Sequence, residues 1–387
     1  MNLLLPLLAA LLAVISLLTL VHAPSWMWAW KLTILAGEFG HWLLLLPLVL
    51  AAVAAGGPAG KERTLTLVLC AFAAVMFLRP VYGAQRLAKR ISEDLEAAFG
   101  AARIDRPAWS WARLFGVTPT RAANGMITEI FAQPDGQELK LDFYAPVKAP
   151  NTAGGAPCIV VIHGGGWDGG DRKQLDGWNS RWAARGYAVA AISYRLAPQW
   201  KWPMQAGDIG SAIAWLKVHA PRLGIDPTRL VLLGRSAGGQ IATAVGYGAR
   251  DPAIRGVIAL YAPHDMPFVW SVSREGDALN SAKLMRQYMG GPPDAANQPL
   301  YVSASGQLLA GADSPPTLLV HGLLDTLSWY RHSERLSARL TELGVAHYYL
   351  QLPWGTHGFD FNPHGPGGQL ADYAIDRFLA TVTGSPG

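Results

Sequence analysis

One serine stands in a sequence setting that favours nucleophilic chemistry. Ser236 is the centre of "GRSAG" at 234 to 238, a G-x-S-x-G pattern between the apolar run "RLVLLG" and a helix-like stretch from 237 to 248. A sharp strand-to-helix turn of this kind exposes the serine hydroxyl, and small residues on either side of the serine avoid clashes. The dipole of the following helix points at the hydroxyl oxygen. The pattern therefore predicts that Ser236 is a nucleophile.

A serine hydroxyl is a poor nucleophile unless a base takes its proton and a third group orients that base. In a strand-turn-helix setting the expected chain order is serine, acid, histidine. Asp325 follows the apolar run "PTLLVHG", and His357 follows "AHYYLQLP" in "WGTHGFD". We predict a triad of Ser236, Asp325 and His357.

Three other polar residues at the ends of apolar runs are alternatives for these roles. Asp265, after "GVIALYA", is an alternative acid, and His163 and His321 are alternative bases. Each of the two histidines precedes a glycine, which suits bracing of a loop better than proton transfer.

Consecutive glycines in "HGGGW" at 163 to 167 follow a strand-like run. Acyl transfer places negative charge on a former carbonyl oxygen, and backbone N–H groups stabilise that charge. Glycine lets the backbone approach the substrate, so Gly165, Gly166 and the amide of Ala237 are the predicted oxyanion donors. The alternative is a tight turn without a chemical role.

Four residues are candidates for a substrate pocket. Trp167 follows the glycines and either packs the loop or edges the pocket, while Arg235 would put a cation beside the nucleophile. Phe268 and Trp270 lie in a long insert at about 263 to 315, and aromatic side chains of this kind suit an apolar ligand. Ordinary packing is the competing interpretation for the insert.

The elements that must position these residues begin at Met126. Two alternating runs separated by Pro-Asp-Gly predict an antiparallel hairpin, and short continuously apolar runs then alternate with amphipathic stretches. Continuously apolar strands belong in a parallel sheet that is covered on both faces. The predicted fold class is α/β, a doubly wound and mostly parallel sheet with helices on both faces, spanning 126 to 387.

Residues 1 to 80 predict a transmembrane region of two to three helices. Apolar runs cover 3 to 21, 40 to 55 and 64 to 78, and tryptophans 26, 28, 30 and 42 flank them as an interfacial belt would. Three spans are preferred over two spans with a re-entrant segment, and a cleaved signal peptide is the alternative for the first run. Residues 81 to 125 predict an amphipathic linker helix and connector.

Positive charge near the ends of the runs favours one orientation. With three spans, Lys31 lies on the same side of the membrane as the cluster between Arg79 and Arg90, and Lys61 and Arg63 lie on the other side. The first side carries more positive charge. The catalytic part is therefore expected on the cytoplasmic side of the membrane. The expected membrane is a bacterial inner membrane.

Composition agrees with a membrane part and excludes several other classes. Charged residues make up only 15% of the chain, against about 25% in soluble domains. The net charge of +5 is scattered, so no nucleic-acid partner is expected. Cys70 and Cys158 suit neither a disulfide nor a metal site, and no cofactor is expected. No sequence feature indicates an oligomeric state.

The soluble part resembles the hormone-sensitive-lipase-like and feruloyl-esterase-like (BD-FAE) α/β-hydrolases. The resemblance rests on "HGGGW" at 163, "SYRLAP" at 193, "WPMQAGDIGSAIAWL" at 202, "GIDPTRLVLLGRSAGG" at 224, "HGLLD" at 321 and "GTHGF" at 355. It implies an α/β-hydrolase fold and a carboxylester hydrolase with Ser236, Asp325 and His357 as triad and no metal. It does not account for residues 1 to about 110.

Together these features predict a membrane-anchored serine esterase that acts on short to medium acyl esters of small molecules or lipids through an acyl-enzyme. The alternatives are an acyltransferase or deacetylase on an envelope glycan or lipid, and a formamidase-like amidase. A non-catalytic binding module is the remaining alternative.

Overall fold

The computed structural model describes residues 3–102, 104–116, 125–147 and 154–384. In this part of the chain, eight strands form one sheet. They are β1 (Met126–Ala132), β2 (Leu139–Tyr144), β3 (Ala156–Ile162), β4 (Ala188–Ile192), β5 (Ile225–Arg235), β6 (Ile254–Leu260), β7 (Thr317–Gly322) and β8 (His347–Leu352).

The strand order is β1-β2-β4-β3-β5-β6-β7-β8. β1 pairs antiparallel with β2, and β2 pairs antiparallel with β4, whereas every pair from β4 to β8 is parallel. β3 and β4 are buried along their whole length, as continuously apolar strands in a sheet covered on both faces should be. The predicted hairpin and the mostly parallel sheet are therefore both present.

The α-helices of the described residues are α1 (Leu4–Leu17), α2 (Met27–Glu38), α3 (Gly40–Leu43), α4 (Leu45–Ala55), α5 (Lys61–Ala88), α6 (Ile91–Phe99), α7 (Trp111–Phe115), α8 (Asp176–Ala184), α9 (Met204–Leu223), α10 (Ala237–Gly248), α11 (Met266–Val272), α12 (Ser281–Met289), α13 (Gln298–Ser303), α14 (Gly306–Leu309), α15 (Arg331–Glu342) and α16 (Pro366–Thr383). Short 3-10 helices cover Pro134–Gly136 and Phe359–Phe361.

Helices cover both faces of the sheet. α9, α10 and α15 bury apolar side chains in the core on one face, and α6, α8 and α16 do so on the other. The insert between β6 and β7 contains α11 to α14. The carboxyl ends of β3, β5, β7 and β8 lead into the loops that carry the predicted catalytic residues, as expected for an open α/β sheet.

The N-terminal helices α1, α4 and α5 pack against one another. Among the described helices, α5 alone is long and apolar enough to cross a membrane, and α2 with the α3–α4 segment forms a pair that is bent by 81°. α1 is apolar but shorter. All three helices expose large apolar side chains: Leu4, Leu7, Leu11 and Val14 of α1, Leu45, Leu48, Val49 and Val53 of α4, and Leu65, Val68, Phe72 and Val75 of α5.

The segment between the bundle and the sheet differs from a single linker helix. α5 continues through the predicted boundary to Ala88, and α6 then buries Ile91 and Leu95 in the core that α16 shares. The described residues between 100 and 110, which exclude residue 103, contain no helix. Part of the predicted connector, residues 117–124, lies outside the described residues. α6 therefore belongs to the packed outer layer of the sheet.

Ion pairs fasten the same segment to the last helix. Arg113 lies 2.7 Å from Asp372, and Arg106 pairs with Asp376, with both carboxylates on α16. Arg185 bridges the two carboxylates at 2.7 and 2.6 Å. Because both carboxylates are almost fully buried, their charges need these partners.

Candidate active site

Ser236 occupies a strained turn between β5 and α10. Its backbone has φ 52° and ψ −121°, outside the regions that L-residues normally adopt. A Cβ at Gly234 would lie 2.1 Å from the carbonyl oxygen of Gly238, and a Cβ at Gly238 would lie 2.2 Å from that of Ile162. The small residues around Ser236 are therefore a steric requirement of the turn.

The loop after β3 presents backbone amides beside Ser236. Gly165 has φ 127° and Gly166 has φ 60°. The amide of Gly164 donates to Oε1 of Gln174 at 2.8 Å. Within the described residues, no acceptor is recorded for the amides of Gly165, Gly166 or Ala237. These three N–H groups are the ones that the sequence predicts as oxyanion donors.

Asp325 and His357 form a hydrogen-bonded pair. Nδ1 of His357 lies 2.7 Å from Oδ2 of Asp325, and Oδ1 of Asp325 accepts the amides of Leu327 and Ser328 at 2.8 and 2.9 Å. Nε2 of His321 lies 3.2 Å from the same carboxylate. Burial raises the pKa of Asp325. The charges and hydrogen bonds of His357 and His321 lower this pKa by more than burial raises it, so it lies well below its ordinary value.

Ser236 and His357 line one cavity. In the described part of the chain, no hydrogen bond joins the serine hydroxyl to the imidazole ring. Catalytic hydrogen bonds often tighten only when substrate is present. The structure thus brings the three predicted residues to one site, with the acid and base already paired.

Asp265 and His163 have partners away from the triad, whereas His321 contacts the Asp325 carboxylate as well as the hydroxyl of Ser333. Asp265 accepts the amide of Phe268 at the start of α11 and lies 2.6 Å from Arg335. His163 contacts its neighbouring carbonyl and stacks on Tyr194, and burial lowers its pKa to about 4. None of these contacts involves His357.

The cavity at Ser236 has two lobes. The first, of about 440 Å³, is bounded by α11 and is here called the α11 lobe; Trp167, Ala237, Val269, Val272 and Met285 are among its lining residues. The second, of about 320 Å³, is bounded by α2 and is called the α2 lobe; its lining includes Met27, Trp30, Gly165, His357 and Phe361. Gly166 and Ser236 line both lobes.

The four predicted pocket residues differ in whether they border the cavity. Trp167 both packs and lines: it stacks on Tyr288, donates to Gln240 at 2.8 Å, and borders the α11 lobe. Phe268 and Trp270 border neither lobe. Phe268 stacks on Trp329, and Trp270 packs edge-on against Tyr301. Their neighbour Val269 borders the α11 lobe. A role of Phe268 and Trp270 in the substrate pocket stays a prediction.

Arg235 borders the α2 lobe, but its charge is already neutralised. Its Nε lies 2.6 Å from Asp360, and both side chains are almost completely buried. The other carboxylate oxygen accepts the hydroxyl of Tyr261 at 2.7 Å. The ring centroid of Tyr261 lies 4.4 Å from that of His357, so this cluster packs against the imidazole ring. Arg235 is therefore a structural cation.

Sequence reasoning missed the contribution of the N-terminal segment. Ser25 borders the α11 lobe, and Met27 and Trp30 border the α2 lobe. The sequence analysis interpreted Trp26, Trp28, Trp30 and Trp42 as an interfacial belt, and this pattern gave no sign of contact with the catalytic domain. Trp30 is half-buried against that domain, while Trp28 is 59% exposed.

The described residues contain no group of three or more His, Cys, Asp or Glu side chains that could hold a metal ion. Of the buried histidines near the site, His264 and His321 contact side-chain hydroxyls. His264, for example, lies 3.3 Å from the hydroxyl of Thr243, and burial lowers its pKa well below the ordinary value.

Comparison with known proteins gives a family for residues 141–340, which match the model of the BD-FAE family. Probable carboxylic ester hydrolase LipM of Mycobacterium tuberculosis is 26% identical over 92% of this chain and 87% of its own length. Esterase LipC of the same organism is 27% identical over 59% of each chain. Ethyl acetate hydrolase of Pseudomonas putida is 30% identical over 58% of this chain and 72% of its own.

Solved structures share the fold. An esterase of Thermogutta terrifontis, Est2, aligns with a TM-score of 0.54 and 22% identity over 66% of this chain and 92% of its own. A bacterial heroin esterase aligns with a TM-score of 0.57 and 24% identity over 78% of this chain and 92% of its own. At this identity the likeness establishes the architecture of the sheet and its helices.

Proposed function

This chain belongs to the BD-FAE family, and we propose that it is a carboxylester hydrolase in which Ser236 is the nucleophile, His357 the general base and Asp325 the residue that orients the base. One observation carries the proposal: a strained serine shares a cavity with a histidine whose ring is bonded to a buried carboxylate. The names of the relatives, which include esterases and an ester hydrolase, support the same chemistry.

The proposed reaction has two halves. Oγ of Ser236 attacks the ester carbonyl carbon while its proton passes to Nε2 of His357, and the oxyanion is held by the amides of Gly165, Gly166 and Ala237. The carbon–oxygen bond to the alcohol then breaks, and the imidazolium returns the proton to the departing alkoxide. Water deprotonated by His357 hydrolyses the acyl-enzyme and frees Ser236 as its hydroxyl form.

Ser236→Ala tests this assignment directly. The variant should retain the fold, judged by circular dichroism, and lose hydrolysis of p-nitrophenyl butyrate by a factor on the order of a million. Wild-type protein should be labelled at Ser236 by a fluorophosphonate, and the variant should not. Full activity in the variant would disprove the role of Ser236.

We further propose that the enzyme is anchored in a membrane by α1, α4 and α5. The apolar side chains that this bundle exposes have no partner within the described chain, and hydrocarbon is the environment that suits them. The exposed Trp26 and Trp42 lie near the junction with the catalytic domain, where an interfacial belt is expected.

The charges at the two ends of α5 support a cytoplasmic catalytic domain. Arg86, Lys89 and Arg90 lie at the end nearer the sheet, whereas Lys61 and Arg63 lie at the far end. The larger positive group marks the cytoplasmic side by the positive-inside tendency. We expect the protein to stay in the membrane fraction after carbonate extraction. We also expect added protease to degrade the catalytic domain only in inverted vesicles. Release by carbonate would contradict anchoring.

A further inference from the structure

The N-terminal helix α2 is bound to the catalytic domain next to the base. Nε1 of Trp30 donates to the carbonyl oxygen of His357 at 2.9 Å, and its ring meets those of His357 and Phe361 edge-on at 6.5 Å. Met27, one turn earlier, also borders the α2 lobe. The wall of this lobe is thus built partly from a segment outside the family domain.

The far end of α2 is fixed as firmly. The carboxylate of Glu38 accepts the amides of Gly367 and Gly368 at 2.9 and 3.3 Å, in the first turn of α16. The side-chain amide of Asn362 donates to the carbonyl oxygen of Glu38 at 2.8 Å. With contacts at both ends, α2 is a fixed wall of the cavity.

The two lobes correspond to the two halves of an ester. The base that accepts the serine proton later delivers it to the departing alcohol, so the alcohol must lie on the side of the cavity where His357 lies. His357 borders the α2 lobe and not the α11 lobe. The acyl chain is left with the α11 lobe, bounded by Val269, Val272 and Met285.

The chemistry of the α2 lobe favours an apolar alcohol. Met27, Trp30, Leu279 and Phe361 contribute apolar surface, and Met27 itself is 39% exposed, so it lies at the rim. Its chain neighbours are exposed tryptophans, the residues that prefer a membrane interface. A substrate that reaches this rim from a bilayer would present its apolar portion first.

We propose, on the basis of the hydrolase function given above, that α2 selects the alcohol portion of the substrate. The preferred ester carries a long apolar alcohol that enters the α2 lobe from the membrane interface, past Met27. Its acyl group occupies the α11 lobe. The N-terminal region is then a specificity element of the active site as well as an anchor.

Two isomeric esters test the assignment of the lobes, because octyl butyrate and ethyl decanoate have the same size but place their long chain on opposite sides of the carbonyl. Full-length protein in phosphatidylcholine vesicles is assayed with both, and with ethyl butyrate as the reference. Met27→Trp should lower kcat/KM for octyl butyrate relative to ethyl butyrate by about tenfold and leave the ethyl decanoate ratio unchanged.

Val272→Trp, on the α11 lobe, should do the converse and reduce the ethyl decanoate ratio. Leu35→Ala is the matched control, since this exposed residue of α2 borders neither lobe, and it should change neither ratio. Met27→Ala covers the case in which the larger side chain prevents folding, and it should alter only the octyl butyrate ratio.

The proposal is overturned if substitution of Met27 changes the ethyl decanoate ratio instead, or changes neither ratio. Failure of the hydrolase function itself gives a different result, in which wild-type protein cleaves none of the three esters and a fluorophosphonate does not label Ser236. Labelling of every variant at the wild-type rate shows that the nucleophile is intact where a ratio changes.

Discussion

The indole nitrogen of Trp30 lies 2.9 Å from the carbonyl oxygen of His357, so a residue of the N-terminal region holds the loop that carries the candidate base. The two residues are separated by 327 positions in the chain. The active site is therefore assembled from both ends of the sequence.

Trp30→Phe should lower kcat by about tenfold and leave KM nearly unchanged. Phenylalanine keeps an aromatic ring against Phe361 but loses the hydrogen bond that positions His357, and small displacements of a catalytic group slow the chemical step. Steady-state kinetics with p-nitrophenyl butyrate measure both constants. Trp28→Phe, at an exposed neighbour, is the control; a rise in KM alone for Trp30→Phe would show that Trp30 only binds substrate.

Gly166→Ala should lose activity out of proportion to its loss of stability. A Cβ here would approach Leu284 at 3.0 Å, close to the N–H groups that are expected to hold the oxyanion. Gly224→Ala is the matched control because Gly224 has a similar φ of 65° with nothing within 4 Å of the added Cβ. Both variants should lose about 1–2 kcal/mol of stability from the positive φ.

Only Gly166→Ala should reduce kcat for p-nitrophenyl butyrate, by about 100-fold. Denaturant unfolding and kinetics on the two variants make the comparison. Equal activity in both would mean that the glycine loop is a turn without a catalytic role. Gly165 is less informative, since its Cβ would lie 2.2 Å from the carbonyl oxygen of Gly169 and would disrupt the loop itself.

Arg235→Met should destabilise the protein by about 3–5 kcal/mol, because it leaves the carboxylate of Asp360 buried without its cation. Combining it with Asp360→Asn should recover much of the loss, since no unpaired charge then remains. Urea unfolding in detergent gives the free energy of unfolding of the single variant, of the double variant and of the control. Arg222→Ala, which breaks the exposed pair with Glu129, should have no measurable effect. An unchanged free energy of unfolding in Arg235→Met would contradict the structural role of this cation.

Asp325→Asn should make stability less sensitive to acid. The pKa of Asp325 is lower in the folded protein than in the unfolded chain, so its carboxylate favours folding above pH of about 4 and this contribution disappears as the pH falls. The loss of unfolding free energy between neutral and acidic pH should therefore be smaller in the variant. Other buried carboxylates act equally in both proteins and cancel in the comparison.

The same variant should lower kcat by a factor on the order of 10⁴, because the amide no longer orients His357 in the tautomer that accepts the serine proton. Wild-type activity, by contrast, should not fall at acidic pH through protonation of Asp325. Unaltered turnover in Asp325→Asn would point to a different acid, and Asp265 is the alternative acid that the sequence offers.

The sheet, its helices and the positions of Ser236, Asp325 and His357 were predictable because short-range signals encode them. Apolar runs mark strands that are buried on both sides, and glycines mark turns with close backbone contacts. The sequence could not show whether Phe268 and Trp270 face a cavity, because which side of a short helix does so depends on its packing. Composition could not distinguish Val269 from its aromatic neighbours.

The role of α2 was hidden for a different reason. Trp30 and Trp28 occur in the same tryptophan-rich stretch, and only tertiary contact separates a residue facing the site from one facing outwards. A fragment of residues 126 to 387, the predicted α/β domain, would lack α2 and also α6, whose Ile91 and Leu95 are buried in the core.

The contacts of α16 also impose an order of assembly during synthesis. α16 follows every other described helix along the chain, yet its first turn receives Glu38, and its carboxylates receive Arg106 and Arg113. These contacts can form only after α16 has been synthesised. Because Trp30 belongs to the helix that Glu38 ends, the wall of the α2 lobe reaches its final place only once α2 and α16 have met.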